Sequence, residues 1–169
     1  MRKIALYLCV LVFVIIGCKK QEKQVAAAAT ETTDICLDGE SLLADLNRDS
    51  LSLLVCHEGE ITKYGGRGVS DLLNLINDES GLLKGSTVAD KMVGKAAAAL
   101  MIAGGVKEVH TNLICTPARQ MFEDNNVIIN AKEEVPMIMN RTRTGQCPID
   151  SRLNDAITVE QCVEILQNM

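Results

Sequence analysis

The architecture of the chain hinges on TVADKMVGKAAAALMIAGG, Thr87 to Gly105. Thr87 with Asp90 three residues on has the form of a capping box, Asp standing in the usual Glu position, and Gly104-Gly105 supplies a stop. The pattern predicts one helix over Thr87 to Ala103. Ala96 to Ala103 is apolar on every face, so that half is expected to be buried all round. The polar residues Asp90, Lys91 and Lys95 fall in the first half. Lys91 and Lys95 form an i, i+4 pair that would share a face, and Gly94 with Ala98 makes a small-residue stripe. A buried helix with three charges needs compensation, because unpaired burial is costly. Asp90, Lys91, Gly94 and Lys95 are therefore candidate site residues. The plainer alternative is that Asp90 caps the helix and both lysines reach solvent.

Outward from this stretch, Ser41 to Leu46 reads as a short amphipathic helix, broken by Asn47-Arg48-Asp49. Leu51 to Cys56 reads as a strand that Glu58-Gly59 turns into a second, Glu60 to Tyr64. Gly65-Gly66-Arg67-Gly68 is a flexible loop, and Val69, Leu72, Leu73 and Ile76 fall at helical spacing. On the other side come a strand from Val109 to Cys115, a helix from Pro117 to Glu123 opened by its proline, and a strand from Val127 to Ala131. Thr158 to Leu166 closes the chain as a capped helix. This alternation implies a layered α/β sheet with parallel crossovers. In such sheets ligands gather at the carboxyl ends of strands, where helix amides point.

Glu133 to Asp155 is long, polar and irregular, and segments of that kind are more often functional than idle. Within it, VPMIMNRTRTGQCPID (Val135 to Asp150) sets Cys147-Pro148 before a possible helix. A positive helix end there would lower the thiol pKa and make it reactive. Arg141 and Arg143 add positive potential suited to a carboxylate or phosphate. The plainer alternative is a buried structural Cys147 with surface arginines.

The N-terminus is a different kind of segment. Arg2 and Lys3 precede an uncharged apolar run from Ile4 to Ile16, about 13 residues, short of the roughly 20 that a spanning helix needs. Ile15-Ile16-Gly17-Cys18 then resembles the bacterial lipobox, whose cysteine is acylated and becomes the first mature residue. Residues 1–17 are accordingly expected to be a lipoprotein signal peptide, and 18–33 the acylated Cys18 with a flexible tether of about 20 Å. Residues 34–169 are expected to form the domain. The expected location is the cell envelope, lipid-anchored, with the membrane as a partner. Removing residues 1–17 leaves 22 acids against 15 bases, a charge of −7. With no basic field to attract phosphate backbones and only four aromatics for stacking, nucleic acid is excluded as a partner.

Thr87 to Ala98 and Val135 to Ile149, with Gly66-Arg67-Gly68 ahead of a Leu-rich helix, resemble a family of small bacterial proteins known only as a domain of unknown function. The resemblance runs from about Leu42 to Leu166. It implies a cytidine-deaminase-like fold, a three-layer α/β/α sandwich with a mixed five-stranded sheet, and a longer acid in relatives at the position of Asp150. Zinc deaminases place His-x-Glu at one core helix start and Pro-Cys-x-x-Cys at the next. This chain offers Asp90-Lys91 and Cys115-Thr116-Pro117-Ala118 instead, and His57 and His110 lack partners at ligand spacing. Zinc-dependent deamination is rejected, and no metal or cofactor is expected.

Outside the cytoplasm disulfides persist, and Cys36, Cys56, Cys115, Cys147 and Cys162 leave at least one thiol over. Cys56 and Cys115 end strands expected to be parallel neighbours, although strand-end cysteines usually just fill core space; Cys147 is the candidate unpaired thiol. Two functions follow. In one, a binding module holds a small anionic ligand or partner in a cleft formed by Asp90, Lys91, Gly94 and Lys95 with Asn140, Arg141 and Cys147-Pro148. In the other, Cys147 is a nucleophile or redox thiol, Asp90 or Lys91 its proton-transfer partner, and Lys95, Asn140 and Arg141 hold the anion.

Overall fold

The structure, a computed structural model, describes residues 38–78 and 81–169. The expected leader over 1–17, Cys18, the tether to residue 33 and Cys36 lie outside the described residues. Among the described residues no helix is long and apolar enough to cross a membrane. In chain order the elements are α1 (Gly39–Arg48), β1 (Leu53–His57), β2 (Glu60–Tyr64), α2 (Ser70–Asn77), β3 (Thr87–Val93), α3 (Lys95–Ala103), β4 (Glu108–Cys115), α4 (Thr116–Asp124), β5 (Ile128–Val135), α5 (Pro148–Ser151) and α6 (Val159–Gln167).

The strands form one mixed five-stranded sheet in the order β2-β1-β3-β4-β5. β1 runs antiparallel to both β2 and β3, whereas β3, β4 and β5 are parallel and linked through α3 and α4. The β1–β2 turn has positive φ at both Glu58 (49°) and Gly59 (87°), the two-residue geometry that follows the twist of a hairpin. Side chains alternate across the sheet. Leu54, Cys56 and Ala89 pack with Leu42, Leu43 and Leu46 of α1. Leu53, Val55, Val88 and Val109 join the larger core formed by α2, α3, α4 and α6, in which Phe122 is fully buried. The result is an α/β/α sandwich with α1 alone as one outer layer.

One expectation fails at the centre of the sheet. Thr87 to Val93 is not the start of a helix but β3, and the helix begins only at Lys95, after Gly94 as an extended N-cap. Val88, Ala89 and Val93 are wholly buried, so this central strand has none of the hydrophobic alternation of a half-solvated strand. Its pairing to β1 on one side and β4 on the other overrides the local helix preference of Ala, Lys and Met. Lys91 and Lys95 consequently share no helix face. β3 also separates β1 from β4, so Cys56 and Cys115 are not neighbours. Cys56 is disulfide-bonded, whereas Cys115, Cys147 and Cys162 are free thiols.

The seat of α1 is set by His110, only 6% exposed on β4. Its Nε2 lies 2.8 Å from Glu108 Oε1 and 3.3 Å from Asn130 Nδ2. Gly39 rests directly on the imidazole ring, where a β-carbon would overlap it. Gly39→Ala is therefore expected to destabilise the domain by about 1–3 kcal/mol in urea unfolding. Adding His110→Ala should recover part of that loss, and two strictly additive losses would show that the close approach is not the cause.

Candidate functional site

β3 delivers the chain to Gly94, and α3 starts there with its first amides unpaired by the helix. Asp150 of α5 fills that position. Its carboxylate accepts the Ala96 N–H at 3.0 Å and the Lys95 N–H at 3.3 Å, and it is 4% exposed. Burial raises its pKa, opposed by those two amides and by the Lys95 charge. Gly94 is needed for the approach, because a β-carbon would overlap the Asp150 carboxylate. Lys95 secures the same segment from its other end. Its Nζ donates to the carbonyls of Leu153 and Ala156, each at 2.7 Å.

Beneath this junction lies a cavity of about 340 Å³ at the carboxyl end of β3. Asp90, Lys91, Gly94, Cys147 and Asp150 all line it, together with the 65–68 loop and Asp71. Three of the residues singled out as catalytic candidates thus meet in one place. Asp90 accepts the Met92 N–H at 2.9 Å, and burial pushes its carboxyl up to about 7, against the pull of the Met92 and Lys91 amides. Lys91 Nζ donates to the Asp49 carbonyl at 3.0 Å. Asp71 accepts the Gly66 N–H at 2.6 Å, which folds the glycine loop over the cavity wall.

A second depression of about 940 Å³ adjoins the cavity and shares Gly68, Met92, Ile138, Cys147 and Ile149 with it. Arg67, Arg141 and Arg143 lie along this groove. Arg141 and Arg143 sit in a tight loop closed by the Met139–Gln146 bridge and by the Asn140 N–H donating to the Gly145 carbonyl at 2.8 Å. Asn140 is occupied in building that loop. Its Oδ1 accepts from the Thr142 hydroxyl and the Thr144 amide, both at 3.0 Å, and its Nδ2 donates to the Thr144 hydroxyl at 3.2 Å. It shapes the loop that displays the arginines.

Two expected roles change with this geometry. Lys95 does not enter the cleft, because the carbonyls of Leu153 and Ala156, just after α5, hold its ammonium. Cys147 caps a helix of a single turn, which carries little of the dipole that a longer helix would turn on the thiol. It is half-buried and free, with its N–H donating to the Ile138 carbonyl at 2.7 Å. The helix starts that would correspond to a zinc-deaminase motif are Lys95-Ala96 and Thr116-Pro117, so Asp90-Lys91 lies in a strand. Cys115, at the second of these, is buried, and burial raises its thiol pKa. Among the described residues, no group of three or more His, Cys, Asp or Glu could hold a metal ion.

Residues 41–169 match the family described as TM1506, Domain of unknown function (DUF1893). The chain belongs to the DUF1893 family. Among solved structures, the crystal structure of a DUF1893 family protein, TM1506, from Thermotoga maritima is similar to it with a TM-score of 0.69 at 25% identity. That likeness covers 76% of this chain and 87% of the Thermotoga chain. No curated protein matches. In this DUF1893 domain the residues that sequence reading passed over are Asp71, Met92, Arg67 in its groove role and, above all, Asp150 as the cap of α3. Gly94 ahead of an Ala-rich helix without a side-chain cap of its own was the available signal for Asp150.

The raised Asp90 pKa makes stability depend on pH. Between 3.8 and about 7 the folded protein keeps a proton that the unfolded chain has released, so stability falls as pH rises through that window. Asp90→Asn is expected to flatten this fall. Urea unfolding should show the variant gaining on the parent above about pH 7 and not below about pH 4, and equal pH slopes would refute the assignment.

Proposed function

We propose that this DUF1893 domain is a binding module for a small organic anion, seated in the continuous cleft formed by the β3 carboxyl end, the 65–68 loop and the 137–150 segment. The supporting observation is that one cleft carries opposite polarity at its two ends. The inner cavity is lined by Asp71, Asp90 and Asp150 with Lys91, and the outer groove by Arg67, Arg141 and Arg143. The α3 amides, the usual anion seat at a helix start, already hold Asp150, which leaves the anionic group of a ligand to the arginines. The inner cavity suits apolar atoms or a group that donates hydrogen bonds to carboxyls.

We also infer a setting for the module. The strand order, with β1 antiparallel in an otherwise parallel set, supports a cytidine-deaminase-like fold without its zinc motifs. The lipobox at Cys18 and the disulfide at Cys56 together favour a lipid-anchored domain on the oxidising side of the cell envelope. Its partners there are the membrane, through the lipid, and the small ligand.

Succinate and inorganic phosphate are the first probes. Each should raise the thermal midpoint saturably, and the rise should survive Cys147→Ser but be lost in Arg141→Gln/Arg143→Gln. An equal rise with chloride at matched ionic strength would count against the module. A second reading, an enzyme with Cys147 as nucleophile or redox thiol, draws on one observation: the thiol opens on the same cavity as a carboxyl that titrates near neutrality. It requires the two to communicate. The alkylation rate of Cys147 by iodoacetamide, followed by mass spectrometry across about pH 6 to 9, should then shift its profile in Asp90→Asn. An unchanged profile would remove Asp90 as its proton-transfer partner.

A further inference from the structure

Three of the six large apolar side chains that stand exposed among the described residues line the outer groove. Met92, Met137 and Met139 are 48%, 46% and 44% exposed, and all three line it, while Met101 and Met121 are buried in the core. Leu113 and Val135 extend the same apolar floor. Three of the seven arginines in the chain line this floor, and among the described residues Glu133 is the one acid on its lining. An acidic chain thus presents a local positive rim around an apolar bed. Among the described residues no aromatic side chain lines either the groove or the cavity beside it, so the apolar part of this surface is aliphatic and thioether in character. Methionine is unbranched and polarisable, so three of them form a floor that adapts to the shape of what lies on it. The volume, about 940 Å³, is within the range of small-molecule sites.

We propose that the ligand of the groove is a free, unbranched aliphatic carboxylate, its chain lying on Met92, Met137 and Met139 and its carboxylate paired with Arg141 and Arg143. This rests on the anion-binding reading and names the ligand class for it. Two separate features of the ligand are recognised. The charge answers the arginine rim, and the chain answers the methionine floor, which would otherwise stay in contact with water.

The full chain, labelled with 13C at the methionine methyls, provides the test. Titration with octanoate should move the Met92, Met137 and Met139 signals and leave those of Met101 and Met121 in place. Across acetate, hexanoate, octanoate and decanoate, affinity should rise about two- to fourfold per methylene, as burial of each carbon predicts. Octanol should bind about tenfold more weakly than octanoate, and octylammonium more weakly still. Arg141→Gln/Arg143→Gln should abolish the preference for octanoate over octanol. Met137→Ser/Met139→Ser should flatten the chain-length series while leaving phosphate binding unchanged. If acetate and phosphate bind as well as decanoate, the aliphatic ligand is wrong and the anion-binding module stands. If none of these anions binds, both fall. Octanol matching octanoate would overturn the carboxylate assignment, and signals moving only in the presence of phospholipid vesicles would assign the groove to a membrane surface instead.

Discussion

The carboxylate of Asp150 on the first amides of α3 is the contact on which the rest of the site depends. It joins a residue far along the chain to the point where the central strand ends. A charge-assisted hydrogen bond of this kind is worth about 1.5–3 kcal/mol, and the helix terminus adds to it. Gly94 is small because the carboxylate must come close, and the inner cavity exists because the 137–150 segment is held at that distance and no nearer. Just beyond that segment, the Lys95 ammonium donates to the carbonyls of Leu153 and Ala156. The first two residues of α3 therefore hold the chain around α5 at two points, at Asp150 and at Leu153–Ala156.

The outer strands and helices were legible in the sequence because each has one wet face. Leu42, Leu43 and Leu46 mark α1, the Glu58-Gly59 turn marks the hairpin, Pro117 opens α4, and the Thr158–Gln161 box caps α6. β3 was not legible, for a physical reason. Like β1 and β4 it is paired on both edges, but its Ala89, Lys91 and Met92 lean to helix rather than strand, and only long-range pairing holds them extended. Thr87 and Asp90, three apart, also imitate a helix start. The five-stranded sheet was accessible through family resemblance rather than through periodicity.

The site was legible in part. Asp90, Lys91, Gly94 and Cys147 reach one cavity, although the reason first offered for grouping the first three, a common helix, is not the reason they meet. Asp90 arrives there on a strand, Gly94 as the N-cap beyond it, and Cys147 on a loop from the other end of the domain. Lys95 and Asn140 have the chemistry of ligand-binding residues but spend it on the protein's own backbone and loop. Charged side chains cannot be sorted into structural and functional from type alone. What separates them is whether a carbonyl or hydroxyl of the fold already satisfies them.

β5 is an edge strand of the sheet among the described residues, and its exposed residues include Lys132, Glu133 and Glu134, with Pro136 immediately after the strand. A foreign strand docking there would have to bury charges of both signs against itself and would lose its ladder at the proline. Those charges and the proline make the edge nearest the methionine floor a poor template for strand addition. A greasy surface can stay exposed beside that edge without recruiting other chains into fibres.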